Sequence, residues 1–177
     1  MLTPERVIEL LELEELPFEG GYFRETYRAE AEIGAGALPF ASERARNCST
    51  QIYYLLTREQ TSSLHVVRSD EVFHHYMGDP VTQLVVDGDR AEVVTLGFDL
   101  ERGWKPQHVV TAGVWQGAEL GEGDAGFALL GATVSPGFDW EDFALVTTEQ
   151  AAEMSGRFPE HAGLIGRLTP VEGRTRA

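Results

Sequence analysis

The sequence predicts a β-dominated fold: an antiparallel sandwich or barrel, with one helix ahead of it and short helices behind. Two observations carry this. Segments of strand length recur between residues 49 and 135, at 50–57, 62–68, 71–77, 81–87, 91–96, 107–111, 114–120 and 126–134. The breaks between them hold turn residues: Gly78-Asp79-Pro80, Asp87-Gly88-Asp89, Gly97, Gly103, Gly113, the stretch 121–126 and Pro136-Gly137. Glycine supplies positive φ and proline a fixed φ, so the chain reverses there. Short strands at this spacing suit antiparallel pairing better than alternating β-α-β units.

The flanking elements follow in order. Thr3 can cap a helix, Pro4 suits its first position, and Glu5 favours its positive end. Val7, Ile8, Leu10 and Leu11 make an apolar stripe at helical spacing, and Pro17 stops the helix. The period then switches to two: Tyr22, Arg24, Thr26 and Arg28 share one strand face, Phe23, Glu25, Tyr27 and Ala29 the other. Residues 31–48 read as a surface loop. From Thr147 to Leu168 two short helices are expected, broken at Phe158-Pro159. A length of 177 residues suits one domain, placed at 1–168, with 169–177 as a disordered tail.

Composition narrows the function classes. Fourteen Lys+Arg against 29 Asp+Glu give a formal charge of −15. Such a surface repels phosphate backbones and anionic lipid, so neither nucleic acid nor a membrane is an expected partner. With Cys48 as the only cysteine, no disulfide or multi-cysteine metal site can form within one chain. No apolar run approaches a membrane span, and the N-terminus is acidic where a signal peptide is basic. A cytoplasmic protein is expected.

The chemistry concentrates in LHVVRSDEVFHHYMGDP, residues 64–80. Across a hairpin, His65 and Glu71 can aim at one interior, as a general acid–base pair or as two ligands of a divalent metal. Tyr22, Arg24, Glu25 and Arg28 make the early strand charged and aromatic; an arginine there can meet an anionic group bidentately, or the strand is a dimer edge or surface. The aromatic and acidic run Phe138-Asp139-Trp140-Glu141-Asp142-Phe143 reads as packing over a barrel end. His108 and His161 read as surface residues. Cys48 has no adjacent basic partner and is not an expected nucleophile.

Residues 64–80 resemble the first motif of the cupin superfamily, with His65, Glu71 and Gly78 at its first His, its Glu and its closing Gly. WKPQHVVTAGVWQGAEL, residues 104–120, resembles the second motif, with Gly113 in register. Val67, Thr111 and Gln116 stand where that pattern has His, Pro and His. EGGYFRETYRAE, STQIYYLLT, LGFDLERGWKPQHVV and VSPGFDWEDFAL are similar to an uncharacterised cupin subfamily of bacteria and fungi, a domain of unknown function of sugar-epimerase-like type. The resemblance implies a double-stranded β-helix, the cupin jelly roll, with outer helices, and a homodimer. It turns His65 and Glu71 inward. Continuing with period two, Phe73, His75 and Met77 point inward too, His74 and Tyr76 outward, and Gln116 joins from another strand.

That interior is an apolar cup with a few polar groups, fit for a small-molecule ligand. The expected catalytic residues are His65 and Glu71; the expected ligand-binding residues are Phe73, His75, Gln116, Tyr22 and Arg24. Burial raises the Glu71 pKa and a neighbouring imidazolium lowers it. Three functions stay open at this point. One is an isomerase- or epimerase-like enzyme using His65 for acid/base chemistry on a carbohydrate-like ligand, with Tyr53, Tyr54 or Tyr76 available beside it. Another is a metal-dependent cupin holding a divalent metal through His65, Glu71 and Gln116. The last is a non-catalytic, storage-like binding module.

Overall fold

The computed structural model describes residues 2–170. Helix α1 (Pro4–Leu11) is capped as expected, with Thr3 Oγ1 accepting from the Arg6 amide at 3.3 Å. It ends earlier than Pro17, because Glu12 adopts a left-handed conformation and closes the last turn. Val7 is buried beneath it, but Leu10, expected in the stripe, is 53% exposed.

Thirteen strands follow: β1 (Glu14–Glu15), β2 (Tyr22–Arg28), β3 (Glu32–Ile33), β4 (Arg46–Asn47), β5 (Thr50–Thr57), β6 (Ser62–Val67), β7 (Asp70–Gly78), β8 (Val81–Asp87), β9 (Arg90–Leu96), β10 (Gln107–Val110), β11 (Trp115–Leu120), β12 (Phe127–Ser135) and β13 (Phe143–Leu145). They form two facing antiparallel sheets, ordered β1-β2-β5-β12-β7-β10 and β13-β6-β11-β8-β9. The small β3-β4 pair lies inside the stretch expected to be loop. The C-terminal part is α2 (Thr148–Arg157), a 3-10 turn at Pro159–His161, and α3 (Ala162–Leu168), broken where expected. Thr147 and Gln150 close a reciprocal capping box on α2. The expected tail lies, from residue 171 on, outside the described residues.

Alternation sorts the strand side chains into three apolar layers. Between the sheets lie Tyr54, Leu56, Phe73, Val81, Val85, Leu96, Val110 and Leu130. Outside the five-stranded sheet, Leu64, Leu84 and Val86 meet Phe158, Leu164, Ile165 and Leu168 of the C-terminal helices. Outside the six-stranded sheet, Leu55, Phe127 and Leu129 meet Val7 and Leu13. Burying each such side chain contributes about 1.5–3 kcal/mol before entropy is counted. The inner layer fills one part of the barrel only; the rest is hollow.

Two bulges change the expected parity. On β2, Glu25 opposes Ile52 while Tyr27 opposes Gln51, so Thr26 is an extra residue. Arg28 therefore joins the inner face with Phe23 and Glu25, rather than the face of Tyr22 and Arg24. On β7, His75 opposes Leu130 while Met77 opposes Leu129, so Tyr76 is extra. Met77, expected inside, is 41% exposed, next to the exposed Tyr76.

Candidate functional site

β6 places Leu64 outward under the C-terminal helices and His65 and Val67 inward. His65 is 3% exposed. Its Nδ1 donates to the Ser63 carbonyl at 2.7 Å, and its ring stacks on Phe143 with centroids 5.1 Å apart. That bond places a proton on Nδ1, so in the neutral ring Nε2 is the nitrogen that carries the lone pair. Nε2 has no protein partner among the described residues.

Glu71 enters from β7 on the opposite sheet. Gln116, which pairs with His65 across β11 and β6, donates through Nε2 to Glu71 Oε2 at 2.6 Å. Burial pushes the Glu71 carboxyl up to about 7; the charge of His65 pulls the other way, Glu19 adds to the rise, and the Gln116 bond lowers it. Of the two opposing effects expected from sequence, burial prevails. Tyr54 completes this floor. Its hydroxyl donates to the Gly20 carbonyl at 2.9 Å, and burial, followed by the nearby Glu19 carboxylate, holds its pKa well above the usual phenol range.

His65, Glu71 and Tyr54 line a cavity of about 580 Å³. Its walls are aromatic: Phe23, Phe73, Phe138, Trp140 and Phe143. Trp140 meets Phe143 and Phe138 edge to face at 5.4 and 5.1 Å. At the rim, Arg28 is gripped bidentately by Glu25 at 3.0 and 2.7 Å, and Arg44 pairs with Asp139 at 2.8 Å. Beneath it, buried Arg46 grips buried Asp142 at 2.6 and 3.1 Å, pinning the 138–143 segment over the barrel mouth.

Of the residues singled out in sequence, His65, Glu71 and Phe73 line this cavity. Gln116 lies behind Glu71 rather than on the wall. His75 is buried elsewhere, its Nε2 on the Asp79 carbonyl at 2.8 Å and its ring edge-on to Phe98. Tyr22 packs with the outer layer near α1, and Arg24 binds Glu12 and lies over the Tyr53 ring, outside the barrel. The period-two reading had set both on a different face from Phe23 and Glu25, so choosing them as ligand contacts picked the wrong face. His74 is half-buried and stacks on Tyr76. His108, read as a surface residue, is half-buried and bonded to Gln83 at 2.8 Å. Sequence reasoning missed Glu19 and Arg44; of the two arginines it noted on the early strand, Arg28 lines the cavity and Arg24 does not. The 138–143 run does cover a barrel end, and it is cavity wall as well; its dense aromatics were the available signal.

The sequence profile described as Cupin superfamily (DUF985) matches residues 5–146. The chain belongs to this family. Among solved structures, a hypothetical protein from Leishmania major is similar to this cupin at 30% identity and TM-score 0.82, over 96% of this chain and 100% of that one. A Shewanella oneidensis protein is 29% identical with TM-score 0.80, over 97% and 100%. Oxalate decarboxylase from Bacillus subtilis shares the fold at 15% identity and TM-score 0.53, over 89% of this cupin and 37% of that enzyme. No curated protein matches this cupin.

The superfamily resemblance implies a metal held at the positions of His65, Val67, Glu71 and Gln116. The side chains present do not fit one. Val67 has no donor atom. Gln116 turns its amide nitrogen to Glu71, and its oxygen accepts from Gln83 at 3.1 Å. What remains is one imidazole nitrogen and one carboxyl, fewer than the three protein ligands of a catalytic zinc site. Among the described residues no group of three His, Cys, Asp or Glu side chains is placed to hold a metal. No helix among them is long and apolar enough to cross a membrane.

Proposed function

We propose that this cupin is an enzyme that binds a small, uncharged, carbohydrate-like ligand in the barrel and moves a proton next to a carbonyl, as an isomerase or epimerase does. The observation that carries the reading is the shared floor of the cavity. There His65, its Nδ1 proton committed to the Ser63 carbonyl, shares the floor with a buried carboxyl whose pKa, about 7, suits proton exchange at neutral pH. In the proposed step the C–H bond breaks and its proton goes to His65 Nε2. The Glu71 proton goes to the carbonyl oxygen, forming an enediol. Return of the proton from His65 to carbon, and of the other to Glu71, completes the exchange.

Charge supports an uncharged ligand. The cavity is lined by Glu19, Glu25, Glu71, Asp139 and Glu141, and both lining arginines are already held by carboxylates. A phosphate would meet more acid than base there. The aromatic walls offer faces on which the C–H groups of a sugar ring can pack.

The test incubates the purified protein in D2O with a panel of neutral hexoses, pentoses and their 6-phosphates, and follows C–H to C–D exchange by NMR. Exchange into a neutral sugar that disappears in His65→Ala is expected. Binding without exchange, seen as a Trp140-dependent fluorescence change, overturns catalysis in favour of a binding module. Exchange that survives His65→Ala overturns the assignment of the base.

A further inference from the structure

A chain of hydrogen bonds links Glu71 of the candidate site to His108 on β10, the strand paired with its own, by way of two buried glutamines on the facing sheet. His108 Nδ1 donates to Gln83 Oε1 at 2.8 Å, Gln83 Nε2 to Gln116 Oε1 at 3.1 Å, and Gln116 Nε2 to Glu71 Oε2 at 2.6 Å. Gln83 and Gln116 are 1% and 2% exposed. The chain crosses between the sheets twice, because His108 and Glu71 belong to one sheet and both glutamines to the other. Every bond in it points the same way, towards the carboxylate.

A primary amide is a donor at one end and an acceptor at the other. Turning one amide over without its neighbours sets donor against donor or acceptor against acceptor. A buried group left unmatched in this way loses its hydrogen bond with no water to replace it. The two amides therefore have two consistent arrangements. In one, Glu71 accepts and His108 must carry its proton on Nδ1. In the other, a Glu71 protonated on Oε2 rather than on the oxygen that serves the ligand donates to Gln116, both amides are reversed, and His108 Nδ1 must accept, with its proton on Nε2.

We propose that Gln116, Gln83 and His108 are positioning residues for Glu71. They form a reversible amide chain that lets this carboxyl alternate between hydrogen-bond acceptor and donor with no buried amide orphaned. The tautomer of His108 reports the direction of the chain. His108 lies in a small recess with Asp87, Arg90 and Glu92, and Lys105 is close enough to act on it. Burial and Lys105 hold His108 towards its neutral form, against Glu92, so the change there is one of tautomer. At the other end, His65, Glu19 and Tyr54 face the carboxyl. This inference deepens the role given to Glu71 in the proposed reaction, but its test needs no substrate and can succeed or fail separately from that reaction.

The test is 15N NMR of histidine-labelled protein at mildly alkaline pH, where Nδ1–H and Nε2–H imidazoles have distinct shifts. His108 in the wild type is expected in the Nδ1–H form, the one less favoured in water. Glu71→Met removes the terminal acceptor, and Gln116→Met cuts the chain while sparing the Gln83–His108 contact. In each, His108 is expected to move to a majority of Nε2–H. A merely structural role for the glutamines leaves the tautomer of a histidine two links from Gln116 and three from Glu71 unmoved. If either variant fails to fold, the other decides alone. An Nε2–H form in the wild type, or no change in the folded variants, overturns the proposal.

Discussion

Gln116 reaches across the barrel and donates to Oε2 of Glu71 at 2.6 Å, yet burial still holds that carboxyl up at about 7 against an ordinary 4.5. The consequence is a stability that depends on pH. A carboxyl whose folded pKa exceeds its unfolded value binds its proton more tightly when folded. Its contribution is present below the unfolded pKa and is lost as pH rises through the folded pKa. The window runs from about 4.5 to about 7, and the loss across it is about 3 kcal/mol. Glu71→Gln keeps the shape, removes the titration, and can still accept from Gln116. Urea denaturation is expected to show similar stability for the two proteins at the acid end of this window. At its alkaline end the variant is expected to be ahead by up to about 3 kcal/mol. A constant difference across the window contradicts the burial-driven shift.

The Arg46–Asp142 pair is buried on both sides, at 3% and 1% side-chain exposure. Asp142→Ala leaves the buried guanidinium with the Glu141 carboxylate at 3.2 Å and the Arg44 and Ala45 carbonyls, and is expected to cost about 3 kcal/mol. The joint replacement Arg46→Met with Asp142→Leu removes both charges and is expected to recover most of that loss. Thermal denaturation measures both. Trp140 emission gives a second readout, since this pair pins the segment that carries it. Equal destabilisation by the single and joint replacements contradicts the account.

Gly21 sits at φ +77, and a Cβ built on it meets the Tyr54 ring at 2.8 Å. Gly21→Ala therefore combines backbone strain with displacement of a ring in the cavity floor. Gly88, at φ +52 with nothing within 4 Å of its Cβ, isolates the backbone part. Gly88→Ala is expected to cost about 1 kcal/mol, and Gly21→Ala clearly more. Chemical denaturation of the pair separates the two effects, and equal losses remove the steric argument at Tyr54.

The strands and helices were legible because their signals are local: apolar alternation, turn residues between segments, a capping threonine before each of the two longer helices. His65 and Glu71 were turned inward by the family resemblance, and Phe73 follows from Glu71 because period two is unbroken between them. That alternation fails at Thr26 and Tyr76. Neither bulge carries a glycine or any other local mark, so Arg28 and Met77 each changed face unannounced. Glu19 comes from the segment before β2, and Arg44 from the loop before β4. Such loop residues reach the cavity through tertiary packing, which no periodicity encodes. The role of Gln83 was hidden for a related reason. A glutamine within an apolar strand reads as an interruption until its partners His108 and Gln116 are found on other strands.

Val67 decides the metal question by experiment. It lies on the inner face of β6 two residues after His65, is 4% exposed, and lines the cavity. With a valine there, the donors left at the four motif positions are His65 Nε2 and the Glu71 carboxyl, and two ligands hold a borderline-soft divalent ion weakly. The wild-type protein, purified without chelator, is expected to contain sub-stoichiometric zinc, manganese, iron and nickel by elemental analysis. Val67→His adds a third donor on the same face and is expected to raise zinc occupancy towards one ion per chain. The cavity has room for the larger ring, so the replacement does not have to displace core side chains. A wild-type protein already at full occupancy contradicts the account of the donor set. So does a variant that folds normally and gains no metal, because the missing donor would then not be what keeps the ion out.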